Sequence, residues 1–276
     1  MTSKIRLGVS DALYLRPLLN GLEAENSPFE LITDFPAVNS IHLNERTKDV
    51  RCAFLSPIDY ARHGGSYRIV PTICVSSKRP NGTITLTVKH GVRNIKKVAV
   101  DVRVTSEIIL AKIILLERFR NLPEDRSEIE FVPMMPSLET MLQKADAALI
   151  VDLKPAQKPL SEHYILDLVE EWSDMTGLPY VHGFWVSREE DIDELRVKAL
   201  IDAGNRGASQ IDALIRSPDM QSGISADQLE TYFESFSYEL GQPEIDSITE
   251  FETFAYYHGV LSDIPEITFF DLLPSS

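Results

Sequence analysis

Short apolar runs alternate with helical spacing through the first half of the chain, a pattern that predicts a mainly parallel α/β architecture. Ile5–Val9 (IRLGV) reads as a strand, with a turn over 10–16 and a short helix over 17–22. Strands follow at 29–34 and 51–55, with helical spacing over 38–48 and a helix opened by Ser56-Pro57 over 58–63. The β-branched runs 67–76 and 83–89 read as strands. Next come a strand at 97–102 (KVAVDV) and a helix at 105–119 (TSEIILAKIILLERF). That helix is apolar on most of its faces, so it is expected to be packed from more than one side. Ala147–Val151 is a further buried strand and 164–175 a helix; Thr176-Gly177-Leu178-Pro179 then breaks the pattern before a strand over 180–186. Beyond it the spacing is helical at about 188–216, 225–240 and 247–262.

Polar residues recur just after the strands. Ser10, Ser56, Thr105-Ser106 and Asp152 each follow one. In open α/β sheets ligands bind beyond the carboxyl ends of strands, where loop hydroxyls and helix N-terminal amides converge. Thr105-Ser106, taken alone, also fits an ordinary helix N-cap. Four such positions together point to a site for a small anion.

Composition narrows the field. The chain has 276 residues, 43% of them hydrophobic, which suffices for a large buried core. No apolar run approaches a membrane span, and MTSKIRLGVSDAL lacks the apolar core of a secretory leader, so a cytoplasmic location is expected. Cys52 and Cys74 lie in apolar strands and are expected to be buried thiols. The net charge is −15, and almost all of it falls on residues 188–276, which argues against nucleic acid as a partner. There is no Gly-x-Gly-x-x-Gly after a strand, no His-x-x-x-His or Cys-x-x-Cys spacing, and no Gly-x-Ser-x-Gly elbow. The chemistry is expected to use hydroxyls, backbone and electrostatics, with no metal and no cofactor.

Five segments carry a family resemblance: DVRCAFLSPIDYAR (49–62), VSSKRPNGTITL (75–86), VAVDVRVTSEIILAKIIL (98–115), ADAALIVD (145–152) and DLVEEWSDMTGLPYVHGFW (167–185). Together they resemble the menaquinone-biosynthesis enzymes of the futalosine pathway, over nearly the whole chain. The last segment and Asp152 are similar to the chorismate dehydratase branch rather than the sister naphthoate synthase, which has a histidine at that place. The resemblance implies a two-lobed, periplasmic-binding-protein-like (type II) fold with a ligand cleft and two hinge crossings. Lobe one would comprise 1–87 plus 184–276 and lobe two 88–183. It implies a small carboxylate, chorismate, as ligand, and leaves a monomer or a homodimer open.

The implied reaction is loss of water from the cyclohexadiene ring of chorismate, driven by aromatisation, to give 3-[(1-carboxyvinyl)oxy]benzoate. By resemblance Ser77, Thr83, Thr105 and Ser106 would bind carboxylates, and Ser56 and Asp152 would line the cleft; Asp152 is also a candidate catalytic residue, and Ser10, after its strand, a candidate substrate binder. Two positions depart from the pattern. Tyr14 stands where the family has an asparagine associated with the chemistry, and a phenol there can donate a hydrogen bond to the leaving hydroxyl. His182 replaces an apolar hinge residue and is a candidate acid or base near neutral pH. Arg16 either pairs with a substrate carboxylate or lies on the surface. A substrate carboxylate is itself a candidate to remove the ring proton. The alternative is a non-catalytic binding or sensor protein for a small cyclic carboxylate, favoured by Tyr14.

Overall fold

A computed structural model describes residues 4–22, 27–63, 65–119, 129–151, 163–217, 220 and 224–272. In chain order the elements are β1 (Ile5–Val9), α1 (Arg16–Asn20), β2 (Phe29–Thr33), α2 (Pro36–Glu45), β3 (Val50–Leu55), α3 (Pro57–Ala61), β4 (Arg68–Ser77), β5 (Ile84–Val88), β6 (Lys97–Asp101), α4 (Ser106–Glu117), β7 (Glu130–Met134), α5 (Leu138–Lys144), β8 (Ala147–Val151), β9 (Tyr164–Asp167), α6 (Leu168–Thr176), β10 (Tyr180–Ser187), α7 (Glu194–Ser209), α8 (Ile211–Ile215), α9 (Ala226–Phe233), β11 (Phe236–Leu240) and α10 (Gln242–Tyr257). The strands form two sheets, in the orders β11-β4-β10-β3-β1-β2 and β7-β6-β8-β5-β9.

Within each sheet the strand–helix units are parallel: β1 with β2 and β3, β6 with β7 and β8. The mainly parallel expectation fails at the strands that carry the chain between sheets and at the edge they create. There β10 runs antiparallel to β3 and β4, β11 to β4, and β5 to β8 and β9. A chain arriving from the other sheet enters from the opposite end, so it pairs in the opposite sense.

The crossings fall at 78–83 and 177–179. The boundaries expected at 87/88 and 183/184 lie inside β5 and β10, whose backbones pair wholly with the second and the first sheet respectively. The first crossing is held by Asp167, whose Oδ2 accepts from the Asn81 and Gly82 amides at 2.9 and 2.7 Å while its Oδ1 caps α6. Gly82 sits there at φ +72, a conformation that favours glycine. At the second crossing the Pro179 carbonyl accepts from Ser247 on α10, and Trp172 donates to the same Ser247 hydroxyl. Trp172, Phe251 and Ala255 belong to the core under the second sheet together with Ile58 and Ala61 of α3. Helices α3 and α10 therefore bury apolar surface from both sheets.

Helix α4 packs against α3, α6, α10 and β8, in accord with its apolar faces. The stretch 164–175 is not one helix. Residues 164–167 form edge strand β9 along β5, and Asp167 starts α6. Likewise 236–240 is strand β11 and not helix: Tyr238 and Leu240 turn inward while Ser237 and Glu239 face out, the period of a half-buried strand. β7 and α5 have no counterpart in the sequence reading. Cys52 and Cys74 are free and buried, and burial pushes both thiols up.

Helix α7 holds α1 in place through Gly207, where an added Cβ would overlap the Pro17 carbonyl. Gly207→Ala is expected to force α1 away from α7. It should lower the melting temperature by several degrees, the usual scale for an overpacked contact of about 1–3 kcal/mol. An unchanged melting curve would mean that α1 relaxes freely.

Candidate active site between the two sheets

Several of the sequence-selected residues lie at the ends of β1 and β4 and the start of α4, beside the crossings. Ser10 is buried at the carboxyl end of β1. Tyr14, in the 3-10 turn Leu13–Leu15, is buried with its ring 4.9 Å from that of His182 and 5.6 Å from Phe236. The Tyr238 hydroxyl donates to the Tyr14 carbonyl at 2.9 Å, fixing the turn. Burial, with Glu107 and Tyr232 adding to it, holds the Tyr14 phenol well above its usual range, so it stays neutral. Arg16 is half-buried at the start of α1. Asp152 lies outside the described residues.

Two of the expected site residues are engaged with the protein itself. Ser56 caps α3 and donates to Asp59 Oδ2 at 2.7 Å. Thr105 donates to the same oxygen at 2.7 Å and makes no N-cap bond to α4. Asp59 thereby links the first sheet's α3 to the residue that precedes α4, and burial raises its pKa against the pull of both hydroxyls.

His182 departs from its expected role. Its Nε2 is 2.7 Å from Ser77 Oγ, and burial pushes the imidazole down to about 3. The ring is packed by Tyr14, Tyr180 and Phe236, with no carboxylate beside it to stabilise a positive charge. Its surroundings therefore hold it neutral near pH 7. When Ser77 donates to Nε2, the proton rests on Nδ1.

Among the described residues that Nδ1 is buried without a partner, as are Thr83 Oγ1, Ser106 Oγ and the Tyr180 hydroxyl. Thr83 opens β5, Ser106 begins α4, and Tyr180 and His182 lie on β10. Ser106 is near enough to Tyr180 to pull down its phenol, which burial otherwise raises well above its usual range, yet neither hydroxyl meets ordinary hydrogen-bond geometry. An unmet buried polar group costs about 1–3 kcal/mol. Ser106 lies at the positive end of the twelve-residue α4, and all four groups are neutral.

Sequence reasoning missed Asp59, Glu107 and Tyr180. Asp59 reads as part of a helix cap and Tyr180 as a core aromatic. Glu107 reads as an ordinary first-turn acid, although its place in a largely apolar helix was a signal that it is buried. No cluster suited to a metal ion occurs among the described residues, and none of their helices is long and apolar enough to cross a membrane.

The sequence profile of a menaquinone biosynthesis family matches residues 5–257. A chorismate dehydratase from Thermus thermophilus is 23% identical over 250 residues, covering 86% of this chain and 90% of its own. Among solved structures, a protein from Archaeoglobus fulgidus superposes with a TM-score of 0.71 at 14% identity, covering 94% of this chain and 98% of its own. A Candida albicans protein with the generic periplasmic binding protein fold superposes with a TM-score of 0.64 at 12% identity, covering 98% of each chain. The fold is thus periplasmic-binding-protein-like, with one sheet to each lobe and the polar cluster between them.

Proposed function

This chain belongs to the menaquinone biosynthesis family, and from that premise we propose that it is a chorismate dehydratase of the futalosine route, a lyase acting in the cytoplasm. The observation that carries the reading is the neutral donor set of Thr83, Ser106, Tyr180 and His182, buried between the lobes without partners. Chorismate presents two carboxylates to such donors. A neutral receptor binds them through hydrogen bonds to charged acceptors, which are stronger than neutral pairs.

The reaction removes a proton from the ring carbon that bears the enolpyruvyl ether and hydroxide from the neighbouring carbon. With His182 neutral and Asp59 Oδ2 already accepting two hydroxyls, the substrate's own enolpyruvyl carboxylate is the base. The protein then orients the substrate and, with its lobes together, excludes water. Tyr14 donates a hydrogen bond toward the leaving hydroxyl.

A second reading, a binding or sensor protein for a cyclic carboxylate, is favoured by one observation. Tyr14 fills the place of the family's asparagine and packs on His182 and Phe236. Incubation with chorismate, followed by chromatography and mass detection against a no-protein control, separates the two. The dehydratase yields a protein-dependent species lighter by one water. A chorismate-dependent rise in melting temperature with chorismate unchanged supports the binding protein instead, and a gain of turnover in Tyr14→Asn would show that this position had drifted from catalysis.

A further inference from the structure

We infer that residues 101–105, which follow β6 in the second lobe, form a clasp across the mouth of the cleft, with Asp59 and the Ala37 amide of the first lobe as its catch. The inference goes beyond the dehydratase reading: it rests on the fold and on contacts between the lobes, and holds whichever ligand the cleft takes.

Two hydrogen bonds join this segment to the first lobe. Thr105 Oγ1 donates to Asp59 Oδ2 on α3 at 2.7 Å, and the Ala37 amide, in the first turn of α2, donates to the Arg103 carbonyl at 3.2 Å. Asp59 is buried, and the Ser56 hydroxyl fixes the same carboxylate oxygen from within the first lobe. The segment is braced on its own side as well. Arg103 forks onto Asp101, its Nε and Nη2 donating to Oδ1 and Oδ2 at 2.9 and 2.7 Å, and Nη2 also reaches the Val151 carbonyl at the end of β8 at 3.1 Å. Such a bidentate pair fixes a guanidinium in two directions. The Arg103 amide donates to Asp101 as well, so side chain and backbone are tied to one buried carboxylate. The segment therefore presents the Arg103 carbonyl and the Thr105 hydroxyl to the first lobe as a fixed pair.

Topology sets the clasp away from the hinge. Strands β5 and β10 adjoin the crossings. In the first sheet β2, which leads into α2, stands three strands from β10; in the second, β6 stands two strands from β5. At a strand spacing of about 4.8 Å, the bond between Ala37 and Arg103 lies about 10–14 Å from the crossing strands. Phe35 and Val102, beside its two ends, are both exposed, as residues at a rim are. The bond between Asp59 and Thr105 lies nearer the hinge, because α3 follows β3 and β3 adjoins β10.

Both bonds are made by protein groups alone, so they form whenever the lobes are together, with the cleft filled or empty. A contact common to the two states leaves affinity nearly unchanged. It must break for a ligand to enter and again for a product to leave, so it slows both steps by the same factor.

The test is hydrogen exchange of the Ala37 amide, followed by NMR in the wild type, Thr105→Val and Thr105→Ser. Ala37 is the second residue of α2, where an amide has no partner within the helix, so its protection reports the clasp. Valine keeps the volume of threonine and removes the donor. Loss of a hydroxyl–carboxylate bond should make opening, and with it Ala37 exchange, about 10–100-fold faster. Serine should restore the wild-type rate, and the amides of β6 should stay within threefold in both variants. An Ala37 rate within threefold of the wild type in Thr105→Val overturns the assignment. So does an equal acceleration in β6, which would mean a general loss of stability, or a serine variant as fast as the valine one. Should Thr105→Val not fold, a wild-type Ala37 amide that exchanges as fast as an unprotected one overturns the clasp equally.

Discussion

Glu252→Gln should raise the melting temperature at pH 8 by several degrees while leaving it nearly unchanged at pH 4. Glu252 is fully buried in the middle of α10, and both carboxylate oxygens lack a hydrogen-bond partner. Burial pushes its pKa from 4.5 up to about 8, with no neighbouring charge contributing. The folded pKa lies above the unfolded one, so between these values the folded state holds a proton that the unfolded state releases. Stability is then complete below about pH 4.5, declines as pH rises, and levels off above about 8. The decline amounts to roughly 3–5 kcal/mol at one pKa unit per 1.4 kcal/mol. For a chain of this size that corresponds to about 6–15 °C. Glutamine removes the titration, so the difference between variant and wild type should widen with pH across that window. Parallel melting-temperature profiles for the two proteins would refute the assignment.

Glu252 lies in α10, which contacts α3, α4 and β10 and pins Pro179 at the second crossing through Ser247.

Much of the architecture is legible along the chain because local pattern and burial agree there. Ile5–Val9, Ala147–Val151 and the apolar helix α4 were all readable because their periodicity follows from coverage by neighbouring elements. What was not readable depends on a distant partner. Tyr164–Asp167 has residues that suit a helix as well as a strand, and the free edge of β5 decides for the strand. Phe236–Leu240 is likewise claimed by the edge of β4. Where strand pairing passes from one sheet to the other is hidden in the sequence, because hydrophobic runs continue through a crossing while ladder partners change there.

The site divides along similar lines. Ser10, Ser56 and Thr105-Ser106 could be picked out by topology because they follow strands, and Ser77 and Thr83 by resemblance; Ser77 meets His182, and Ser106 lies near Tyr180. Which hydroxyls are free could not be read, since Asp59 takes up both Ser56 and Thr105, and its reach across the lobes has no signature in sequence. The environment of His182 could not be read from its type, which suggests a titrating group, because three surrounding rings and burial lower its pKa.

Ser106→Ala combined with Thr83→Val should have opposite effects on stability and on binding, and that opposition is the sharpest check on the receptor. In a site that serves only to hold the fold, deleting a hydroxyl removes a hydrogen bond and destabilises. Here both hydroxyls are buried without a partner, so replacing them with apolar groups of similar shape relieves an unmet desolvation cost of about 1–3 kcal/mol each. The ligand-free double variant is therefore expected to melt several degrees above the wild type. Binding should move the other way. Two hydrogen bonds to carboxylates are worth about 1.5–3 kcal/mol apiece, so affinity for chorismate should weaken by about 10²–10⁴-fold and its thermal shift should vanish. Calorimetric titration and melting curves on the same samples read both quantities. A less stable double variant that still binds chorismate would show these hydroxyls to be structural and would move the carboxylate site elsewhere in the cleft. A more stable one that no longer binds would identify strain held in the empty site as the source of its affinity.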